Sequence, residues 1–216
     1  MKVLGISGSP RRDHTTDKLV KEILSKIDGE TEFVSLAGKR IGPCIGCLAC
    51  VEDNICKIND DMKELRQKIV EADAYVIGSA NYFSMLNGLT HCFLERFYQF
   101  RHNEGKAVAG KPGIAVGVGG SGGSAGDFPV KNIKTFFQYS QIECICEISA
   151  QGAACCFSCG YGETCKAGAI HMFFGPGTKI TEDIIPDLSK QPDKIVEAHE
   201  LGRKLSGRLK ALVVAT

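Results

Sequence analysis

Four cysteines occupy one short run in the first third of the chain, at Cys44, Cys47, Cys50 and Cys56, with the spacing C-x2-C-x2-C-x5-C. A 4Fe-4S cubane takes one thiolate at each iron, and intervals of two residues let successive side chains turn toward the same centre. A structural zinc site usually takes two ligand pairs separated by a longer loop, and this run has no such gap. The spacing therefore favours one self-contained 4Fe-4S cluster, with zinc as the alternative.

A second group of cysteines follows near the end of the chain, at Cys155, Cys156, Cys159 and Cys165. The last three repeat the final two intervals of the first motif, which is compatible with a second cluster or a zinc ion within 155–165. On an extended backbone, however, Cys155 and Cys156 would point in opposite directions. Three interpretations stay open: a second metal site, reactive or disulfide-forming thiols, and buried structural cysteines.

The loop that follows the first apolar run contains glycine, hydroxyls and arginine just before a helix start. It spans Ser7 to Thr16. Backbone N–H groups at a helix N-terminus favour an anion, and hydroxyl and guanidinium donors complete a phosphate site. The motifs G-x-G-x-x-G and G-x-x-x-x-G-K-[ST] are both absent, so we expect one terminal phosphate rather than a dinucleotide. An ordinary polar turn is the alternative. No Ser-His-Asp or paired-carboxylate arrangement is evident, and we predict no catalytic acid–base residue.

Composition indicates an intracellular redox protein. A chain of 216 residues suits one domain with a modest extension, and its formal charge of +1 gives no indication of a nucleic acid partner. No apolar run approaches the roughly 18 residues of a membrane span, and the start of the chain does not resemble a signal peptide. The eleven cysteines are odd in number and tightly clustered, which suits ligands in a reducing cytoplasm better than disulfides.

Short apolar runs alternate with helical periodicities along the chain. The five predicted strands are Val3 to Ser7, Thr31 to Leu36, Ala74 to Ser79, Gly113 to Gly119 and Ile142 to Ile148. This alternation predicts an α/β fold, a doubly wound five-stranded parallel sheet with helices on both faces. Predicted helices include one closed by Gly29, one from about Asn87 to Phe100, and a C-terminal helix that starts at Pro192. We expect a domain over 1–150 and a Cys-rich extension with the C-terminal helix over 151–216.

Three segments together resemble a known superfamily. Gly5 to Arg11 with Thr15 and Thr16, Gly78 to Phe83, and Phe93 to Arg96 are similar to the NAD(P)H-dependent FMN reductases. The compact cysteine motif narrows the resemblance to the iron-sulfur flavoproteins of anaerobic archaea and bacteria. The resemblance covers roughly residues 1–150. It implies a flavodoxin-like fold, FMN at the strand ends, and a homo-oligomer, either a dimer or a tetramer.

The resemblance also implies roles for individual residues. Those that would hold the FMN phosphate are Ser7, Ser9, Arg11, Thr15 and Thr16. Those that would line the isoalloxazine are Asn81, Tyr82 and Phe83, with Gly119, Gly120 and Ser121 on its other side. The metal ligands would be the four cysteines of the first motif.

Some positions depart from the family pattern or have a plainer explanation. Family members commonly have proline where this chain has Ala80 and often lysine where it has His91, which leaves the turn under the flavin and one nearby cation unassigned. A small residue is usual where this chain has His14. The glycine-rich run 117–126 could equally be a flexible linker, and the aromatic pair after the third strand could be packing residues.

We expect electron transfer between a one-electron carrier such as ferredoxin and an acceptor, through the 4Fe-4S cluster and FMN. The first alternative is an NAD(P)H-dependent FMN or quinone-type reductase. The second is a zinc-stabilised, non-catalytic FMN-binding or regulatory protein. The expected partners are ferredoxin or a similar carrier, NAD(P)H, and further copies of the chain, with no nucleic acid and no membrane.

Overall fold

A parallel sheet forms the centre of the computed structural model, which describes residues 1–102, 105–120 and 124–214. The strands are β1 (Lys2–Ser7), β2 (Glu30–Ser35), β3 (Ala74–Tyr82), β4 (Met85–Leu86), β5 (Pro112–Gly119) and β6 (Glu143–Gln151). Five of them are parallel, in the order β2-β1-β3-β5-β6. The predicted five-stranded parallel sheet is confirmed. The short β4, which pairs antiparallel with the end of β3, was not predicted.

Helices flank the sheet on both faces. They are α1 (Thr15–Leu24), α2 (Met62–Glu71), α3 (Gly88–Glu95), α4 (Asp127–Tyr139), α5 (Ala169–Phe174) and α6 (Pro192–Val214). The first helix ends at Leu24, earlier than the apolar periodicity predicts. The N–H groups of Lys26 and Ile27 donate to the carbonyl oxygens three residues earlier, so the chain leaves the helix in a tighter, 3₁₀-type turn. Similarly, α3 passes into a 3₁₀ helix at Arg96–Phe100 instead of continuing as one helix.

Two apolar clusters cover the two faces of the sheet. One packs Ile6 and Ile77 against Phe93 and Phe97, and the other packs Val76 with α1 and with the C-terminal helix through residues such as Leu205. α6 lies so close to α1 that a Cβ on Gly202 would be 2.3 Å from the carbonyl oxygen of Ile23. The C-terminal helix therefore covers the sheet. Within the described residues, no helix has both the length and the hydropathy needed to cross a membrane.

Candidate functional site

The loop after β1 is held in place by its own hydroxyls and by α3. Ser7 Oγ accepts from the N–H of Ser9 at 3.4 Å, and Ser9 Oγ accepts from the N–H of Arg11 at 3.2 Å. Gly8 donates its N–H to the Gly78 carbonyl at 2.8 Å, while its own carbonyl accepts from Asn87 Nδ2 at 2.8 Å. A Cβ on Gly8 would lie 1.8 Å from Oγ1 of Thr90. These hydrogen bonds hold the loop in one conformation, and the loop leads directly into α1.

A cavity of about 620 Å³ opens at the carboxyl ends of β1, β3 and β5. In doubly wound sheets, ligands bind at this edge, where the strand order reverses. The predicted residues that line it are Ser9, Arg11, Thr15, Thr16, Asn81, Tyr82, Phe83, Gly119 and Gly120. Ser7 does not line the cavity but is fully buried under the loop. Ser121 lies outside the described residues.

One wall of the cavity is the end of β3 with the turn that follows it. Asn81 Nδ2 donates to the Ala125 carbonyl at 2.7 Å, which fixes the amide and leaves its buried Oδ1 without a hydrogen-bond partner in the described structure. Phe83 and Ser84 have φ angles of 54° and 62°, a left-handed conformation that is uncommon for a bulky residue. Phe83 is 95% exposed at the rim. The wall thus presents an unpaired acceptor and an exposed ring.

Another wall of the cavity comes from the C-terminal part of the chain, and this contribution was not predicted from the sequence. This wall consists of Gly152 to Cys155, Ala169, Met172 and Phe173. Arg11 contacts this wall, because its Nη2 donates a hydrogen bond of 2.6 Å to the carbonyl oxygen of Ala153. The small residues of the run Gly152-Ala153-Ala154 are a signal that could have indicated close packing, since a Cβ on Gly152 would be 2.6 Å from Val118 Cγ1.

The four cysteines of the first motif line one small pocket together with Arg96, Tyr98 and Gln99 of the 3₁₀ helix that follows α3. Glu95 Oε2 accepts from the N–H of Cys44 at 3.1 Å, and Gln99 Oε1 accepts from the N–H of Cys56 at 3.0 Å. Cys50 Sγ lies 3.3 Å from Nε2 of His102. Sequence reasoning missed these supporting residues, because helical periodicity reports burial and not the loop that a side chain contacts.

Arg96 is the charged member of this supporting set. Its Nη1 bonds to Asp60 and to the Gly42 carbonyl, and its Nη2 donates to Cys56 Sγ at 3.2 Å. Burial lowers the pKa of Arg96, but the hydrogen bonds to Asp60 and Cys56 outweigh this and hold the pKa above its ordinary value. Burial, together with the negative charges of the neighbouring thiolates, raises the pKa of the Cys50 thiol. The guanidinium is therefore a permanent cation beside the thiols.

All eleven cysteines are free thiols. Within the described residues, no group of three or more His, Cys, Asp or Glu side chains is arranged to hold a single metal ion. The cluster and zinc interpretations of the first motif stay predictions at this point.

The later cysteines are divided between two environments. Cys155 faces the cavity, whereas Cys156 Sγ accepts from the N–H of Ala169 at 3.2 Å. Cys159 Sγ accepts from the N–H of Tyr161 at 3.4 Å. The expected extended backbone at Cys155 and Cys156 is wrong, since both lie in the 3₁₀ helix Cys155–Phe157, but the two side chains still have different surroundings. A second metal site within 155–165 stays a prediction.

Comparison with known proteins decides the family. Residues 1–143 match the NADPH-dependent FMN reductases. The chain belongs to the NADPH-dependent FMN reductase family. An iron-sulfur flavoprotein of Methanocaldococcus jannaschii is 41% identical over 140 residues, which cover 63% of this chain and 72% of that protein. An iron-sulfur flavoprotein of Archaeoglobus fulgidus is 30% identical over 138 residues, which cover 62% and 70% of the two chains.

These matches confirm the resemblance to iron-sulfur flavoproteins and identify a flavin-dependent oxidoreductase. The fold agrees with a solved structure of a flavodoxin from the domain Archaea. That structure has a TM-score of 0.54 at 12% identity, with 97% of this chain and 99% of that chain covered. The predicted flavodoxin-like fold is confirmed. The division into 1–150 and 151–216 stays a prediction.

Proposed function

We propose that this flavoprotein transfers electrons between a one-electron carrier such as ferredoxin and an acceptor, through FMN in the cavity and a 4Fe-4S cluster at Cys44, Cys47, Cys50 and Cys56. The observation that carries the proposal is that one chain has both a cavity of flavin size and a separate pocket lined by four thiols. When bound, FMN exchanges two electrons together or singly, and a 4Fe-4S cluster exchanges one at a time.

The residues around the cavity fit FMN. A volume of about 620 Å³ lies within the range of ligand cavities, roughly 300–1,000 Å³. The N-terminus of α1, with Arg11 and the hydroxyls of Thr15 and Thr16, supplies donors and positive potential for a phosphate. The unpaired Oδ1 of Asn81 supplies a buried acceptor that suits an N–H of a flavin ring. An unpaired buried acceptor is costly, so a ligand donor at this position would stabilise the site.

The residues around the cysteine pocket fit an anionic metal–sulfur group. The four cysteines line one pocket, and a buried guanidinium donates to the sulfur of Cys56. Backbone N–H groups of Cys44 and Cys56 are held by Glu95 and Gln99, which fixes where the loop begins and ends. None of the eleven cysteines is paired in a disulfide, in keeping with a reducing compartment such as the cytoplasm.

A homo-oligomer would complete the electron path. None of the four cysteines is among the described residues that line the FMN cavity. In an assembly of identical chains, the cysteine loop of one copy could lie over the cavity of another. We therefore include a dimer or tetramer in the proposal.

The family match favours one second candidate function, because the matched family is described as NADPH-dependent. In this alternative, NAD(P)H donates hydride to FMN, and the reduced flavin passes electrons to a quinone or a similar acceptor. The cysteine loop would then be a structural or accessory element.

Metal analysis of anaerobically purified protein tests the cluster. We expect about four irons and four acid-labile sulfides per chain, since four thiolates match one cubane. Cys47→Ala should remove the iron and leave FMN bound. The matched control is Cys144→Ala, because Cys144 lies on β6 outside both motifs. Zinc with negligible iron in fresh anaerobic protein would contradict the cluster and favour the zinc-stabilised alternative.

Anaerobic stopped-flow measurements at the flavin absorbance test the electron path. Reduced ferredoxin should reduce the flavin in the parent, and Cys50→Ala should abolish this while FMN stays bound. Unimpaired reduction by ferredoxin in the cluster-free variant would refute the path through the cluster. Rapid reduction by NADPH in both proteins would support the reductase alternative.

A further inference from the structure

A buried guanidinium contacts the cysteine loop from the protein side. Arg96 lies where α3 passes into the 3₁₀ helix, and its side chain is 1% exposed. Its Nη2 lies 3.2 Å from Cys56 Sγ. Its Nε has no hydrogen-bond partner in the described structure, although it is buried. Arg96 therefore supplies a cationic N–H donor, at Nη2, to one sulfur of the loop, and its Nε is a second donor that is not used in the described structure.

The position of this cation is fixed from its other end. Nη1 bonds to Asp60 and to the carbonyl oxygen of Gly42. Asp60 is itself held, because its two carboxylate oxygens accept from the N–H groups of Gly42 and Met62, each at 3.1 Å. These contacts anchor Nη1, whereas Nη2 is left to face the sulfur of Cys56. An anchoring role alone would not require that second contact.

We propose that Arg96 is a positioning residue that raises the reduction potential of the group held by the four cysteines. The inference rests on the 4Fe-4S cluster of the proposed function. Reduction adds one negative charge to a cluster, and a donor on a ligand sulfur stabilises the reduced form more than the oxidised form. The effect is large when the donor is charged and shielded from water, as it is for Arg96. Asp60 offsets part of this charge.

The charge arrangement predicts shifts of opposite sign for two variants. The double variant Arg96→Gln with Asp60→Asn removes the cation without leaving a buried unpaired carboxylate, and should lower the potential. The single variant Asp60→Asn keeps Arg96 and removes the offsetting anion, and should raise the potential. The matched control is Lys57→Gln. Lys57 is also a cation in the cysteine pocket and follows Cys56 directly, but it is 49% exposed and pairs with Asp53, so water screens its charge.

The measurement is an anaerobic redox titration of the cluster followed by electron paramagnetic resonance, with iron and sulfide content determined for each protein. In the double variant, the ratio of reduced to oxidised cluster at a fixed solution potential should fall about tenfold, which is about 59 mV for a one-electron couple. Asp60→Asn should increase the same ratio. Lys57→Gln should change it by less than about twofold. FMN content should be unchanged in all three variants.

The possible results separate the two proposals. A parent protein without iron and sulfide would refute the cluster itself, whatever Arg96 does. A parent with a cluster whose potential is unchanged in the double variant would refute the role of Arg96. So would a fall in potential for Asp60→Asn. Loss of the cluster from both variants would overturn the inference in favour of a purely structural role for the ion pair.

Discussion

Nη2 of Arg11 donates a hydrogen bond of 2.6 Å to the carbonyl oxygen of Ala153. This contact joins the loop after β1 to the chain that leaves β6, so two segments far apart in sequence close the same cavity. One nitrogen of the guanidinium is thereby fixed, which holds the rest of the group over the cavity that it lines. Arg11 therefore combines a structural contact with the position expected for a phosphate ligand.

Arg11→Ala should weaken FMN binding roughly tenfold or more. The loss of a charge-assisted hydrogen bond costs about 1.5–3 kcal/mol, and 1.4 kcal/mol corresponds to a factor of ten in affinity. Fluorescence titration of FMN into apoprotein measures the change. The matched control is Arg12→Ala, because Arg12 also bonds to a backbone carbonyl, that of Ala37 at 2.7 Å, but does not line the cavity. Equal FMN affinity in parent and Arg11→Ala would place the phosphate elsewhere.

Gly8→Ala should destabilise the protein. Its new methyl group would meet Thr90 Oγ1 at 1.8 Å, and such overpacking typically costs about 1–3 kcal/mol. The displaced loop should also bind FMN less tightly. Gly88→Ala is the control, since a Cβ there would meet no atom within 4 Å, and alanine favours the first turn of α3. Urea denaturation of both variants measures the free energy of unfolding, and equal destabilisation would contradict the argument.

The central strands could be predicted because burial on both faces makes them nearly continuous apolar runs. β5 is buried from Pro112 to Gly119, and its sequence has no polar side chain to interrupt the pattern. By contrast, α5 has six residues, too few for a helical periodicity to be evident. The transition of α3 at Arg96 was also not predictable from periodicity, since both helix types bury the aromatic residues Phe93 and Phe97.

The sequence predicted the site residues that lie at the ends of strands. It did not predict those whose contacts join segments far apart in the sequence. Ser9 lies just after β1 and Asn81 lies near the end of β3, and the carboxyl ends of these parallel strands meet at one edge, so topology alone brings the two residues together. Ala153 was missed, because its contribution depends on the path of the chain after β6. The contact between Arg96 and Cys56 was missed for the same reason, since forty residues separate the partners.

Asp187→Asn should reduce stability at neutral pH and have less effect in acid. The hydrogen bond from Lys18 at 2.6 Å and the N–H of Ser189 lower the pKa of Asp187 from 3.8 to about 2. A carboxyl with a lowered pKa stabilises the fold above its unfolded pKa and loses that contribution as pH falls toward its folded pKa. Because both side chains are partly exposed, we expect about 0.2–1 kcal/mol.

Urea denaturation at pH 7 and at intervals down to pH 3 tests this. The difference in unfolding free energy between parent and Asp187→Asn should be constant near neutral pH and shrink below about pH 4. Glu200→Gln, on the exposed surface of α6, is the control for removing a carboxylate from the same part of the chain. A difference that grows in acid would contradict the assigned direction of the shift.

Phe83→Gly should separate FMN binding from stability. Phe83 is 95% exposed, so its ring contributes little to the core, and its φ of 54° is strained for a bulky side chain. Glycine adopts this conformation without a steric cost, so the free energy of unfolding should stay equal or rise by up to about 1 kcal/mol. If the ring contacts the isoalloxazine, FMN affinity should fall about five- to tenfold, from the loss of about 1 kcal/mol or more.

The control for this variant is Tyr139→Ala. Tyr139 is also an exposed aromatic residue, with 66% of its surface accessible, but it lines a different groove, between α3 and α4. Its truncation should leave FMN affinity unchanged. Phe83→Gly with unchanged affinity would show that the ring does not contact the flavin. A large loss of stability would show instead that the left-handed conformation depends on the aromatic side chain, and the strain would then be a property of folding and not of the site.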